Sequence, residues 1–264
     1  MNIFIRELRA NRKALIIWSV CMFLLILSGM AKYTAYSSGG QNAAVFNEMP
    51  YSVKALLGMG SFDVTTMAGY FGMLFLYIEL AVAIHAALLG AGIIAKEERD
   101  KTTEFLMIKP VSRKTVITAK LLAAFVNVAV VNIVTLASSV VMVSAYNKGP
   151  DLTGEVMLFM LSMFIVQLIF LTLGAALAAF MKNPKSSGSF TMGLLLLAFV
   201  ISKITDLTDK LNALNVLSPF NYFSYADLAG GKGLDALIVI LSALLIAALA
   251  ASAYVFYPKR DLTV

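Results

Sequence analysis

The sequence predicts an all-α membrane protein with six transmembrane helices, and three observations carry that expectation. Six long apolar stretches fill most of the 264 residues. None of them shows the polar/apolar alternation of a membrane-barrel strand. The lysines and arginines collect in alternate gaps between them. A helix needs about 20 apolar residues to cross a bilayer core. In lipid only helices and closed barrels satisfy their own backbone hydrogen bonds. The expected spans are 14–31, 67–95, 118–145, 155–181, 188–205 and 234–256. A chain that is 60% hydrophobic, with a mean hydropathy of +0.85, lies far from the balance of a soluble domain. The polar gaps, the longest of them 32–66, are too short for an independent fold. Residues 1–264 therefore read as one transmembrane domain.

The first element is a basic, amphipathic start. Met1, Phe4, Ile5 and Leu8 fall on one helical face and Arg6, Arg9 and Lys13 on another. This predicts a short interfacial helix on the membrane surface that turns into span 1. A basic start and an apolar run also describe a secretory signal. The run here is longer than a signal core, and its removal would leave an odd number of spans, so span 1 is expected to stay. Cys21 is the single cysteine, which rules out an intramolecular disulfide.

The loop 32–66 carries Gly39, Gly40, Pro50, Gly58 and Gly60 among apolar residues, a pattern of short surface helices and turns. Asn147–Asp151 and the region around Asn183-Pro184 read as tight turns. After span 5, Ile204, Leu207, Leu211 and Leu214 recur at helical spacing among Lys203, Asp206, Asp209 and Lys210. That predicts an amphipathic interfacial helix ending at Ser218-Pro219. The aromatic cluster Phe220, Tyr222, Phe223 and Tyr225 follows. Anchoring in the headgroup layer is the expected role, and a re-entrant gate is the sharper alternative.

Orientation follows from the cations. Counting Lys120 and Lys203 at the adjoining span ends, fifteen lysines and arginines fall in the N-terminal segment, the gaps after spans 2 and 4, and the tail, against six in the other gaps. The richer side is expected to be cytoplasmic, with both termini inside a multi-pass cell-membrane protein. The net charge of +6 is then a topology signal and gives no support to a nucleic-acid partner.

Two ionisable residues lie within span 2. Glu79 sits near its middle, where a charge costs about 2.5–3.5 kcal/mol. It must be protonated, paired or facing a wet cavity. His85 is six residues on, about 600° around the helix, so the two side chains point to different faces. Gln167, Asn127 and Asn132 are the partners that other spans offer. Glu79 and His85 are read either as hydrogen-bonded packing residues or as residues of a translocation path. Small residues at Ala86/Gly90, Gly174/Ala178 and Ala243/Ala247/Ala251 permit close helix contacts within the bundle, or one face for a dimer.

Enzyme readings find little support. The chain contains no Gly-x-x-x-x-Gly-Lys-Ser/Thr loop for ATP. One His and one Cys leave no His-rich or Cys-rich metal ligand set, so no metal is expected. Glu97-Glu98 matches the start of a diglutamate protease motif, but it lies in the charged gap, away from the His in span 2.

That gap is the most informative polar segment. Glu97, Glu98 and Asp100 open it, Phe105, Leu106 and Ile108 form an apolar ridge, and Pro110 ends the short helix they would form. A charged helix with an apolar ridge, held between two spans, suits docking into a groove on a cytoplasmic partner. Here the chain resembles the permease subunits of type-2 ABC exporters. In that family an acidic stretch after span 2 leads to Gly-Thr-x-Glu-x-Leu-Leu-x-x-Pro-Val-Ser-Arg and a later Lys. The matching residues are Thr102, Thr103, Glu104, Phe105-Leu106, Lys109-Pro110-Val111-Ser112-Arg113 and Lys120. The glycine is absent and the Thr–Glu spacing is one residue shorter. In layout the resemblance covers the whole chain, including the structured segment between spans 5 and 6 with its Ser-Pro-Phe-x-Tyr-Phe run. It implies an ATPase-coupling segment containing Glu97, Glu98, Glu104, Phe105, Leu106, Pro110 and Arg113. It further implies separate cytoplasmic ATPase subunits that hold the ATP and Mg, no cofactor on this chain, and a second permease copy or homologue in membrane lipid. The alternative is a non-transporting membrane scaffold or sensor subunit.

Overall fold

A computed structural model describes residues 3–37, 48–50, 53–54, 63–102, 111–181, 183 and 186–259. Its elements are α1 (Ile3–Met30), the single turn α2 (Tyr33–Tyr36), α3 (Met67–Arg99), α4 (Arg113–Tyr146), α5 (Thr153–Phe180), α6 (Ser187–Leu207), two 3-10 segments (Asp209–Leu217 and Pro219–Asn221), α7 (Tyr225–Ala229) and α8 (Ala236–Lys259). Six helices are long and apolar enough to cross a membrane, and no strand occurs among the described residues. The chain is a multi-pass, all-α membrane protein.

Every long helix overlaps its expected span, and most outrun it. The apolar stretch sets which part sits in lipid, but the backbone stays helical through flanking Glu, Lys and Arg, which are good helix formers. α3 therefore runs on to Arg99. α4 starts at Arg113, where the Ser112 hydroxyl accepts a hydrogen bond from Thr115 N at 3.1 Å. Such a cap satisfies one of the free amides at a helix start. Thr66 caps α3 in the same way through Gly69 N at 3.2 Å.

α3 and α5 form the central pair. α1 lies along α4, α8 lies along α5, and α6 packs on α3. The central crossing is glycine-made. A Cβ on Gly174 would stand 2.5 Å from Ala87 O and 2.8 Å from Ala91 N, and one on Gly90 would collide with Leu171 O. Small residues let the two backbones touch, as the spacing of Ala86/Gly90 and Gly174/Ala178 anticipates. Ala243, Ala247 and Ala251 of α8 instead face outward. So do Leu237, Ile240, Leu241 and Leu244, a surface suited to lipid.

Two expectations about surface helices are corrected. The N-terminal segment does not lie apart from span 1, because α1 is continuous from Ile3 to Met30. Its inward face is Ile3 and Glu7, while Ile5 is exposed. Burying Ile3 and Glu7 against the bundle aligns the first turns with the span. The amphipathic helix 204–214 is also not one helix. Ile204 and Leu207 belong to the end of α6, the chain breaks at the extended residue Thr208, and 209–217 winds as 3-10. The 3-10 pitch brings i and i+3 into line, so Leu211, Leu214 and Leu217 form a row of their own, separated by the break at Thr208 from Ile204 and Leu207 on α6. Leu211, Val216 and Leu217 are exposed.

Candidate functional site

Among the described residues Glu7, Glu79, Glu97 and Glu98 are buried carboxylates, and two of them anchor the polar interior of α3: Glu79 near its middle and Glu97 near its C-terminal end. Glu79 is only 1% exposed. Its partner comes from 146 residues away: Tyr225 Oη donates to Glu79 Oε2. None of the polar residues from other spans reaches it. Asn132 instead donates to Gln167 Oε1 at 3.1 Å and to Met160 O at 3.2 Å, and Asn127 donates to Ala123 O at 2.7 Å. Among the described residues no lysine or arginine lies within ion-pair distance of Glu79. Lys203, at the end of α6, is held by Asp206 at 2.5 Å.

Aromatic rings wall this carboxyl. Phe75 packs against Phe159 with centroids 4.6 Å apart, and Tyr225 meets Phe75 edge-on at 5.3 Å. Phe71 adds an edge contact to Phe159 at 5.6 Å. Phe71, Phe75 and Glu79 recur every four residues and so share one face of α3.

The segment that delivers Tyr225 folds back into the bundle, which corrects the expectation of headgroup anchoring for most of the aromatic cluster. Phe220 and Phe223 are buried. Phe220 lies between Phe170 and Phe199, at 5.3 and 5.5 Å. Asn221 fixes the segment to α6: it accepts from Ser202 and donates to Thr205 Oγ1 at 2.7 Å and to Asn215 Oδ1 at 2.9 Å. α7 is capped by Ser224, which accepts from Asp227 N at 3.3 Å. Beyond it, Gly231 and Gly233 adopt φ of +66° and +87°. That left-handed conformation suits glycine and turns the chain into α8. Burial, and then the adjacent Glu79, push the Tyr225 hydroxyl well above a phenol's ordinary pKa, so it remains a donor.

The second carboxylate is compensated. Glu97 Oε2 meets Lys120 Nζ at 2.6 Å, with side-chain exposures of 6% and 0%. Lys120 Nζ also donates to Ile93 O. Around this pair Glu7 binds Lys96 at 3.3 Å, Arg113 Nη1 donates to Pro258 O at 2.9 Å, and Tyr254 contacts Thr118 at 2.9 Å. α1, α3, α4 and α8 are thereby tied together around both stems of the polar gap. α3 ends in a Schellman turn, with Thr102 N donating to Glu97 O at 2.7 Å and Lys101 N to Glu98 O at 3.4 Å. Lys101 takes the left-handed position at φ 54° that glycine normally fills.

Of the residues assigned to the coupling segment, Glu97 and Glu98 are buried in this frame, with their side chains turned away from solvent. Arg113 opens α4. Glu104, Phe105, Leu106 and Pro110 lie outside the described residues. His85 does not join Glu79. Its ring faces Trp18 of α1 at 5.1 Å, and its Nδ1 has no hydrogen-bond partner among the described residues. It lines a groove of about 330 Å³ that continues past Gly92 to Lys96 and Arg99. Sequence reading missed Tyr225 as the partner of Glu79 and Lys120 as that of Glu97. The four-residue repeat Phe71, Phe75, Glu79 was the one local signal of the aromatic wall.

A family model described as ABC-2 family transporter protein matches residues 1–262. No curated protein matches the chain. The chain belongs to the ABC-2 transporter family.

Proposed function

As a member of that family, we propose, the chain is the permease subunit of an ABC exporter, driven by separate cytoplasmic ATPase subunits that bind ATP and Mg. The observation that carries this reading is the family match over nearly the whole chain, on six membrane-length helices. The end of the bundle where α1 starts and α8 stops is its cytoplasmic end. The segment 103–110 between α3 and α4 is the ATPase contact, with Phe105 and Leu106 as its apolar anchors. The Glu97–Lys120 pair supports the reading physically. It clamps both stems of that segment, so a force on the segment moves α3 and α4 together. A second permease copy or a homologous permease completes the path, and this chain catalyses no bond chemistry.

Cysteine labelling tests the orientation. With the exposed Cys21 replaced, a cysteine at Lys109 is expected to label from the cytoplasm alone and one at Gly40 from outside alone. The opposite pattern removes both the orientation and the ATPase contact. Coupling is tested by Phe105→Ala with Leu106→Ala. Losing such interface anchors commonly costs about 2 kcal/mol, roughly thirtyfold in affinity. The double variant should still insert with six spans yet lose ATPase association or uncouple hydrolysis from transport. Normal association and transport would reduce 103–110 to a connecting loop.

A further inference from the structure

Glu79 poses a physical question that bundle packing does not answer. A carboxyl in mid-membrane is expensive, and natural spans retain one chiefly where it handles a ligand or a charge. Among the described residues it has no cationic partner within ion-pair distance, and its hydrogen bond is to a single hydroxyl. That hydroxyl arrives on α7, a helix of five residues held between Pro219 and the left-handed Gly231 and Gly233. The walls are aromatic: Phe75 and Phe159, each at most 1% exposed.

From this arrangement we infer that Glu79, Phe75 and Phe159 form a binding site for a lipophilic organic cation, and that Tyr225 closes it. The inference rests on the permease reading above and names the substrate class for it. In the closed arrangement the Tyr225 O–H stands where a substrate's positive charge would sit, aimed at the same carboxyl oxygen. Its ring covers Phe75 at 5.3 Å and Phe159 at 6.3 Å. Withdrawal of α7 about its Pro and Gly flanks frees the carboxylate and two ring faces together. A cation entering there gains a counter-ion and the negative faces of the rings.

The same chemistry excludes other guests. A metal ion such as Ca²⁺ takes roughly six to eight oxygen ligands, whereas this wall offers the Glu79 carboxyl and one phenol among hydrocarbon rings. An anion would meet the Glu79 carboxyl with no cation within ion-pair distance among the described residues. A large organic cation carries diffuse charge, loses its hydration easily and needs no oxygen shell.

Equilibrium binding of tetraphenylphosphonium to the purified full-length chain in zwitterionic nanodiscs tests the inference. Empty nanodiscs serve as the blank, and tetraphenylborate is the anion of matching shape. Glu79→Gln should weaken phosphonium binding about tenfold or more, an effect of about 1.4 kcal/mol. Phe159→Leu should weaken it several-fold, and Tyr225→Ala, which removes the closing ring, should strengthen it. Tetraphenylborate should show no Glu79-dependent binding. Retained helicity and thermal midpoint identify folded variants, and Phe159→Leu and Tyr225→Ala decide the matter if Glu79→Gln does not fold. Phosphonium affinity within twofold of wild type in the folded Glu79→Gln protein, or in both other variants, overturns the site. So does borate competing equally. No ATPase is present, so an absent site leaves the permease reading standing, and failed ATPase association leaves a demonstrated site standing.

Discussion

Glu79 and Glu97 lie on the same helix, both buried, yet their partners differ in kind. Glu97 meets an ammonium at 2.6 Å whose nitrogen also reaches a backbone carbonyl. Glu79 meets one phenol on a short, glycine-flanked segment. A charge with a fixed counter-ion belongs to the frame, because breaking the pair strands the partner. A carboxyl whose partner sits on a separate, glycine-flanked segment is, on the proposal above, free to exchange that partner for a ligand. On the proposed binding site, the end of α3 serves the frame and its middle serves the ligand.

The largest expected effect is at the frame. Lys120→Met leaves Glu97 buried and unpaired, which should lower stability by about 3–5 kcal/mol. Adding Glu97→Leu should restore much of the loss, because a well-packed apolar pair often matches a buried ion pair. Unfolding in mild detergent measures both, and an unchanged Lys120→Met protein would break the comparison at its structural half.

Next is Gly174→Val at the crossing that lies between the two carboxylates. The new side chain meets Ala87 O and Ala91 N, and overpacking of this kind costs typically about 1–3 kcal/mol. Both levels of the bundle should loosen together. A loss confined to ligand binding, with stability intact, would separate the levels more sharply than the packing allows.

Lys101→Gly acts at the frame alone. It relieves a left-handed residue whose penalty is about 1–2 kcal/mol, partly offset by glycine's greater freedom in the unfolded chain. A gain of up to about 1 kcal/mol in thermal stability is expected, with phosphonium binding unchanged.

The smallest effect is at the far end. Asp63 accepts from Thr65 Oγ1 at 2.6 Å and Thr65 N at 3.0 Å. These bonds, the hydroxyl first, hold its pKa below the ordinary 3.8. The folded value is depressed, so its contribution to stability is present above that ordinary value and is lost as pH falls below it. Asp63→Asn should flatten this acid-side decline slightly and leave neutral-pH stability almost unaltered.

The six helices were legible because each has to cross a fixed thickness of hydrocarbon, and apolar length reports that directly. Helix ends were less legible: Ser112 and the Lys101 turn set them through local hydrogen bonds that hydropathy ignores. Glu79 stood out as an anomalous charge, but its partner did not. Tyr225 is 146 residues away in an aromatic run that equally suits the headgroup layer, and only the fold-back at Asn221 brings it inward. The Glu97–Lys120 pair was hidden for a related reason. Glu97 stood in the acidic opening of the coupling segment and Lys120 at the start of span 3, 23 residues apart in sequence, and only the packing of α3 against α4 brings them together.

The most direct test compares Glu79→Gln and Glu97→Gln in the permease assembled with its ATPase, measuring thermal midpoint and ATP-driven transport on the same samples. Glu79→Gln is expected to keep the wild-type midpoint and alter transport, while Glu97→Gln is expected to lower the midpoint through the stranded Lys120. The reverse pattern, with Glu79→Gln unstable and Glu97→Gln stable but inactive, would contradict this division of roles.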